Sequence, residues 1–354
     1  MGKLLLSPFH NSIGATFSEV NGCEVVSRYG AVGAEYNYLR AGAGLLDLSF
    51  RSRICVTGPD RVRFLHGQVT NDIRALKQGQ GCYAALITAK GKMESDLIVY
   101  ALEEELLLDF EPGLTAKVSE RLEKYIIADD VQLIDVAPHY GLLSVQGPMS
   151  DAALAKAGFV VPMDTSRFSF SHSGEMYVCR NPRIGSEGFD LFIPNTMLEQ
   201  AAQSLLSCVR GAGGDAVGWE ALEMARIEAG IPRFNHDMDE TNIPLEAGLE
   251  ANAVSFNKGC YIGQEVISRI RTYGQVAKAL KRLQLVPGGT PPKEKQPLYK
   301  DGKAVGYVTS FTRLPSGGKA VGLGYVRKEA NQPGTELVLD PEGAASKVEI
   351  VESA

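Results

Sequence analysis

Apolar and polar residues alternate over short runs through the first third of the chain, and the alternation predicts strands. Residues 54–57 read as one strand, stopped by Gly58-Pro59-Asp60, and 61–67 as a short helix behind it. The runs 83–88 and 93–102 flank Ala89-Lys-Gly-Lys92, a glycine-containing turn, and so predict a hairpin, with 106–110 adding a third strand to the meander. Over 112–127 the period lengthens. Leu114, Val118, Leu122, Tyr125 and Ile126 recur at helical spacing while Lys117, Glu120, Arg121, Glu123 and Lys124 fall mostly elsewhere, the pattern of an amphipathic helix laid on that sheet.

Strands near 131–136 and 142–145, with helices near 150–157 and 195–209, repeat this grammar and predict a second, related sheet-and-helix unit. After residue 284 short strands at 304–310, 320–326, 336–339 and 347–351 are separated by turns such as Pro287-Gly-Gly-Thr-Pro-Pro292, which predicts a small C-terminal β-barrel. The expected class is α+β, with a first region over 1–280 made of two interleaved subdomains and a barrel over 281–354.

Length agrees with this division, because 354 residues exceed one ordinary core and suit two or three domains that need no staple. With 36 Lys and Arg against 42 Asp and Glu, the net charge of -6 argues against an overall attraction to nucleic acid or to an anionic membrane. The six cysteines (23, 55, 82, 179, 208, 260) come no closer than the 27 residues between 55 and 82, and the histidines show no metal spacing, so no metal is expected. No stretch approaches the roughly 18 apolar residues of a membrane span, and the expected location is cytoplasmic. Gly211-Ala-Gly-Gly follows a helical run instead of a strand and is not a dinucleotide fingerprint.

Three segments carry unusual chemistry. In Asn257-Lys-Gly-Cys-Tyr-Ile-Gly-Gln-Glu265 a cysteine lies between glycines and beside Lys258, whose charge favours a thiolate; Cys260 is either reactive or a small buried cysteine in a tight turn. In Trp219-Glu-Ala-Leu-Glu-Met-Ala-Arg-Ile-Glu-Ala-Gly230, Arg226 shares a helical face with Leu222 and Trp219 and needs a partner, either a ligand or a carboxylate such as Glu223. Tyr83 and Asp96 lie on the two strands of the predicted hairpin, where they can meet at one cleft, or Asp96 can simply face solvent. The same two readings apply to Asp190 in Gly185-Ser-Glu-Gly-Phe-Asp-Leu-Phe-Ile-Pro194.

Taken in order, Ala43-Gly-Leu-Leu-Asp-Leu-Ser49, Phe64-Leu-His-Gly-Gln-Val-Thr-Asn-Asp72, Ala225-Arg-Ile-Glu-Ala-Gly-Ile-Pro232 and Asp239-Glu-Thr-Asn-Ile-Pro-Leu-Glu-Ala-Gly-Leu249 make the chain resemble the glycine-cleavage T-protein (aminomethyltransferase) superfamily. Lys258-Gly-Cys-Tyr-Ile-Gly-Gln-Glu265 is similar to the signature of its YgfZ branch. The resemblance implies two related units around a central channel for tetrahydrofolate or a derivative, a C-terminal barrel, and support of iron-sulfur enzymes, tRNA-modifying ones included, or of their assembly proteins. By the same resemblance Asp96 matches the aspartate at the reactive side of folate, Tyr83 a ring-contacting tyrosine, Arg226 the arginine of the folate pocket and Asp190, loosely, a pterin-binding glutamate. Cys260 and Asp96 become the candidate catalytic residues, with Lys258, Gly259, Tyr261, Gly263, Gln264 and Glu265 supporting the cysteine. The alternative is a tetrahydrofolate-dependent aminomethyl- or methyltransferase, which the aspartate at 96 keeps open, and a third is a scaffold without folate. Neither a membrane nor direct nucleic-acid binding is implied.

Overall fold

Alternation of period two becomes sheet, and period 3.6 becomes the helices that cover it. The computed structural model describes residues 2–274, 276–315, 317–340 and 346–352. It is a mixed α+β chain of two compact units, Met1–Leu86 with Ser95–Glu223, and Ile87–Glu94 with Met224–Ala354.

The first unit holds two larger sheets. One runs in the order Gly81–Ile87, Met93–Ala101, Leu106–Phe110, Ser52–Thr57, Gln132–Asp135, so the hairpin and meander form where the alternation predicts them. The expected strand near 131–136 forms as well, but it belongs to this first sheet and not to the second: Cys55 pairs with Ile134 and Val56 with Leu133. Period alone tells a segment to be a strand and is silent about its neighbour.

The second sheet is ordered Phe170–Ser173, Met176–Arg180, Gly188–Pro194, Tyr140–Gln146, Gly44–Asp47, Asp215–Ala216. The helix Asn195–Gly211 covers it by burying Leu198, Ala202, Leu205 and Val209 in one core with Leu143, Val145, Leu191 and Ile193. Each fully buried leucine contributes roughly 1.5–3 kcal/mol relative to exposure, which is what seats the helix.

The amphipathic helix read over 112–127 is shorter, Thr115–Glu123. Beyond it the bonds Tyr125 N to Leu122 O and Ile126 N to Glu123 O tighten the chain into three-residue turns, and Ile127 emerges 89% exposed. Arg121, expected on the outer face, is buried and donates to Gln68 Oε1 at 3.0 Å.

In the second unit six antiparallel strands close a barrel in the order Lys278–Leu285, Ala320–Arg327, Lys303–Arg313, Pro297–Lys300, Glu336–Val338, Lys347–Val351, with the last strand pairing back to the first. Leu283, Leu298, Val308, Leu337 and Ile350 fill it. The strand Pro297–Lys300 escaped the alternation because proline and lysine occupy its ends. Among the described residues no helix is long and apolar enough to cross a membrane, and no cluster of His, Cys, Asp or Glu is arranged to hold a metal.

Candidate functional site

Tyr83 and Asp96 stand on neighbouring strands of the first sheet, and the Tyr83 hydroxyl donates to Asp96 Oδ2 at 2.6 Å. Asp96 is half-buried, so it is not the fully solvated strand-face aspartate that propensity alone allows. Desolvation, then the charge of Glu111, raises its carboxyl to about 6, against the opposing pull of the Tyr83 hydrogen bond and of Arg51. Burial and the Asp96 charge in turn push the Tyr83 phenol well above its ordinary range, so it stays protonated and serves as a donor.

Arg51 lies beyond them, donating Nε to Asp109 Oδ1 at 2.8 Å and Nη1 to Glu111 Oε1 at 2.7 Å. Asp109 also accepts from Arg183 Nη2 at 2.9 Å, and the same Nη2 reaches Asp190 Oδ2 at 2.6 Å. Asn181 Nδ2 adds a bond to Asp190 at 2.7 Å. The chain Arg51, Asp109, Arg183, Asp190 therefore joins the two sheets through fully buried carboxylates, and the solvent-facing reading of Asp190 is excluded. Burial alone would raise the Asp109 carboxyl; Arg51 and Arg183 outweigh it and hold the group below its ordinary value. Sequence reasoning passed over Arg51, Asp109 and Arg183. The available signal was a single aspartate inside the otherwise apolar strand Leu106–Phe110, a charge that burial obliges to pair.

A cavity of about 490 Å³ in the same unit, lined among others by Leu4, Phe50, Arg51, Tyr140 and Leu198, is reached by Arg51 but by none of Tyr83, Asp96 or Asp190.

In the second unit Arg226 is 4% exposed and ion-paired to Asp237. Its guanidinium donates to Asp237, eleven residues on, to Ser310 Oγ at 3.0 Å and to the Ile231 carbonyl at 3.2 Å. Asp237 also accepts from Thr309 and Ser310 hydroxyls, each at 2.6 Å. Burial works against its charge, but Arg226 and the hydroxyls prevail and its carboxyl lies below the ordinary value. This clasp fastens the helix end at Gly230 to the barrel strand Lys303–Arg313.

Cys260 is exposed, which removes the reading of a buried structural thiol. Lys258 is buried and holds its ammonium 4.8 Å from the centre of the Tyr261 ring. Gly259 and Glu265 are exposed, with Glu265 in the first turn of the helix Gln264–Tyr273, where its charge suits the helix dipole; Gln264 is half-buried. Gly263 begins that helix at φ +83°, and a Cβ there would sit 2.5 Å from the Thr88 carbonyl. The glycine is thus required by backbone conformation and by close approach to the hairpin turn.

Comparison with known proteins bears on this arrangement. The model described as the GCVT N-terminal domain matches residues 6–258, and that described as the glycine cleavage T-protein C-terminal barrel domain matches 278–354. An aminomethyltransferase of Rubrobacter xylanophilus is 30% identical over 334 residues, spanning 93% of this chain and 88% of the relative. A putative chloroplastic transferase of Arabidopsis thaliana is 32% identical over 314 residues, 87% of this chain and 71% of the relative. The crystal structure of the glycine cleavage system aminomethyltransferase T from Bartonella henselae superimposes with a TM-score of 0.89 at 27% identity, covering 99% of this chain and 97% of that one.

Proposed function

We propose that this chain, which belongs to the glycine cleavage T-protein family, is a tetrahydrofolate-dependent transferase of a one-carbon group carried on an amine. The observation that carries the reading is the Tyr83–Asp96 pair, a recessed carboxyl raised to about 6 and hydrogen-bonded to a phenol. A carboxyl so placed exchanges its proton near neutral pH at comparable cost in either direction, which suits it to chemistry between amines. It also fits a reduced pterin, since a charged carboxyl accepts up to about four hydrogen bonds and Tyr83 takes one. When bound, tetrahydrofolate would supply the nitrogens that receive the one-carbon unit.

In this reading Asp96 and Tyr83 meet the pterin and hold its orientation. Asp190, already bonded to Arg183 and Asn181, acts through them by fixing the sheet from which Asp109 and Arg51 are braced. Arg226 likewise serves the fold of its own unit before any ligand, because Asp237 and Ser310 engage its guanidinium.

Calorimetric titration with tetrahydrofolate and 5-formyltetrahydrofolate tests the proposal. Binding by the wild type that Asp96→Ala loses and Cys260→Ser keeps supports it, and absence of binding to the wild type overturns the folate reading in favour of a scaffold. A second reading makes folate binding serve iron-sulfur enzymes, tRNA-modifying ones included; on its side stands the exposed thiol of Cys260 in Lys258-Gly-Cys-Tyr-Ile-Gly-Gln-Glu265. The relatives named aminomethyltransferase favour the first reading. Unchanged support of such enzymes in cells carrying Cys260→Ser would remove the second.

A further inference from the structure

Strand register brings a second carboxylate to the same end of the sheet as Asp96. Ile98 pairs with Asp109 in one direction across the sheet, and Arg53 pairs with Asp109 in the other. Asp96 and Glu111 each lie two residues beyond the Ile98–Asp109 pair toward the same end of their neighbouring strands, and Arg51, two residues before Arg53, donates to Glu111 at 2.7 Å. With Tyr83 on the other side of Asp96, four polar residues, Tyr83, Asp96, Glu111 and Arg51, gather toward one end of the sheet, next to the buried pair Arg53 and Asp109.

Glu111 is 5% exposed and Arg51 is 8% exposed. Arg51 divides its guanidinium between Glu111 and Asp109, which fixes the Glu111 carboxyl in place. Two carboxylates so close in a poorly solvated site cannot both ionise cheaply.

Resting on the transferase reading above, we propose that Glu111, pinned by Arg51, is the positioning residue of this site: lying at the same end of the sheet as Asp96, it decides the protonation state in which Asp96 meets its substrate. The groups that bear on Asp96 are Tyr83 from the strand on one side, and Glu111 and then Arg51 from the other; Arg167 bears on Tyr83. The raised pKa of Asp96, to which Glu111 contributes after desolvation, agrees with this geometry.

The test uses the whole chain with ¹³C-labelled aspartate carboxyls, titrated by NMR from pH 4 to 9, with Asp96→Asn assigning the resonance. The wild-type midpoint is expected near 6, and Glu111→Gln, which keeps an oxygen for Arg51, should lower it by about one unit. The charge-retaining Glu111→Asp should restore most of the shift. The acid limb of kcat/KM for tetrahydrofolate-dependent transfer should move to lower pH by the same amount, with folate affinity little changed. An Asp96 midpoint that Glu111→Gln leaves unmoved overturns the proposal, and should the glutamine variant not fold, an unmoved midpoint in Glu111→Met overturns it equally. A midpoint that moves in a protein without transfer activity at any pH overturns the transferase reading alone, leaving the coupling of the two carboxyls established.

Discussion

Replacing Asp96 with asparagine should stabilise the first unit at pH 8, and by an amount that acid erases. An aspartate carboxyl raised from its ordinary 3.8 to about 6 holds its proton longer in the folded chain than in the unfolded one. Its contribution to stability is therefore complete below about pH 4 and is lost as pH rises through about 6. Two units at about 1.36 kcal/mol each put the penalty at pH 8 near 3 kcal/mol, an upper bound. Because Asp96 is half-buried and keeps some contact with water, about 1–2 kcal/mol is the better expectation. Asparagine escapes this cost and retains an oxygen for the Tyr83 hydroxyl.

The assay is urea unfolding followed by the fluorescence of Trp219, the sole tryptophan, whose ring meets Phe50 edge-on at 5.5 Å within the first unit. Comparing the variant with the wild type at each pH cancels the other titrating groups. The gap between them should shrink to about a third of its pH 8 value at pH 4.5, where Asp96 is mostly protonated in the folded chain and partly ionised in the unfolded one. An asparagine variant less stable than the wild type at pH 8, or a gap that pH does not alter, would refute the argument that burial and Glu111 penalise this charge.

Two further outcomes concern the second unit, with Gly14 of the first as a control. Asp237→Ala removes the ion pair that buried Arg226 makes with Asp237 and should cost about 3–5 kcal/mol, read as a lowered midpoint in calorimetric unfolding; since the Asp237 carboxyl is held below its ordinary pKa, the stabilisation it gives is present at neutral pH and fades on acidification. Gly263→Ala should cost about 1–3 kcal/mol through positive φ and the approach to Thr88 O, whereas Gly14→Ala, at φ +85° with nothing within 4 Å, should cost only about 1 kcal/mol by the same thermal measurement.

What could be read from the sequence, and what could not, divides along a physical line. The hairpin at 83–102, the helix near 195–209 and most barrel strands were legible because local periodicity specifies them, and proline, glycine and charge punctuate them. Partners were not. Arg226 meets Ser310 across 84 residues, and Arg183 meets Asp109 across 74. Such pairs depend on strand order and register, which local pattern does not encode, and this is why Gln132–Asp135 joined an unexpected sheet. Buried charge nonetheless leaves a trace, because an aspartate within Leu-Leu-Leu-Asp-Phe must be matched somewhere. Once Asp109 is matched on both sides, Glu111, two residues on, comes to the same end of the sheet as Asp96 and is held there by Arg51. The pairing that sustains the sheet's interior thereby also sets the electrostatics at its end, so a substitution at Arg51 or Glu111 should register in the titration of Asp96 while the strands themselves stay in place.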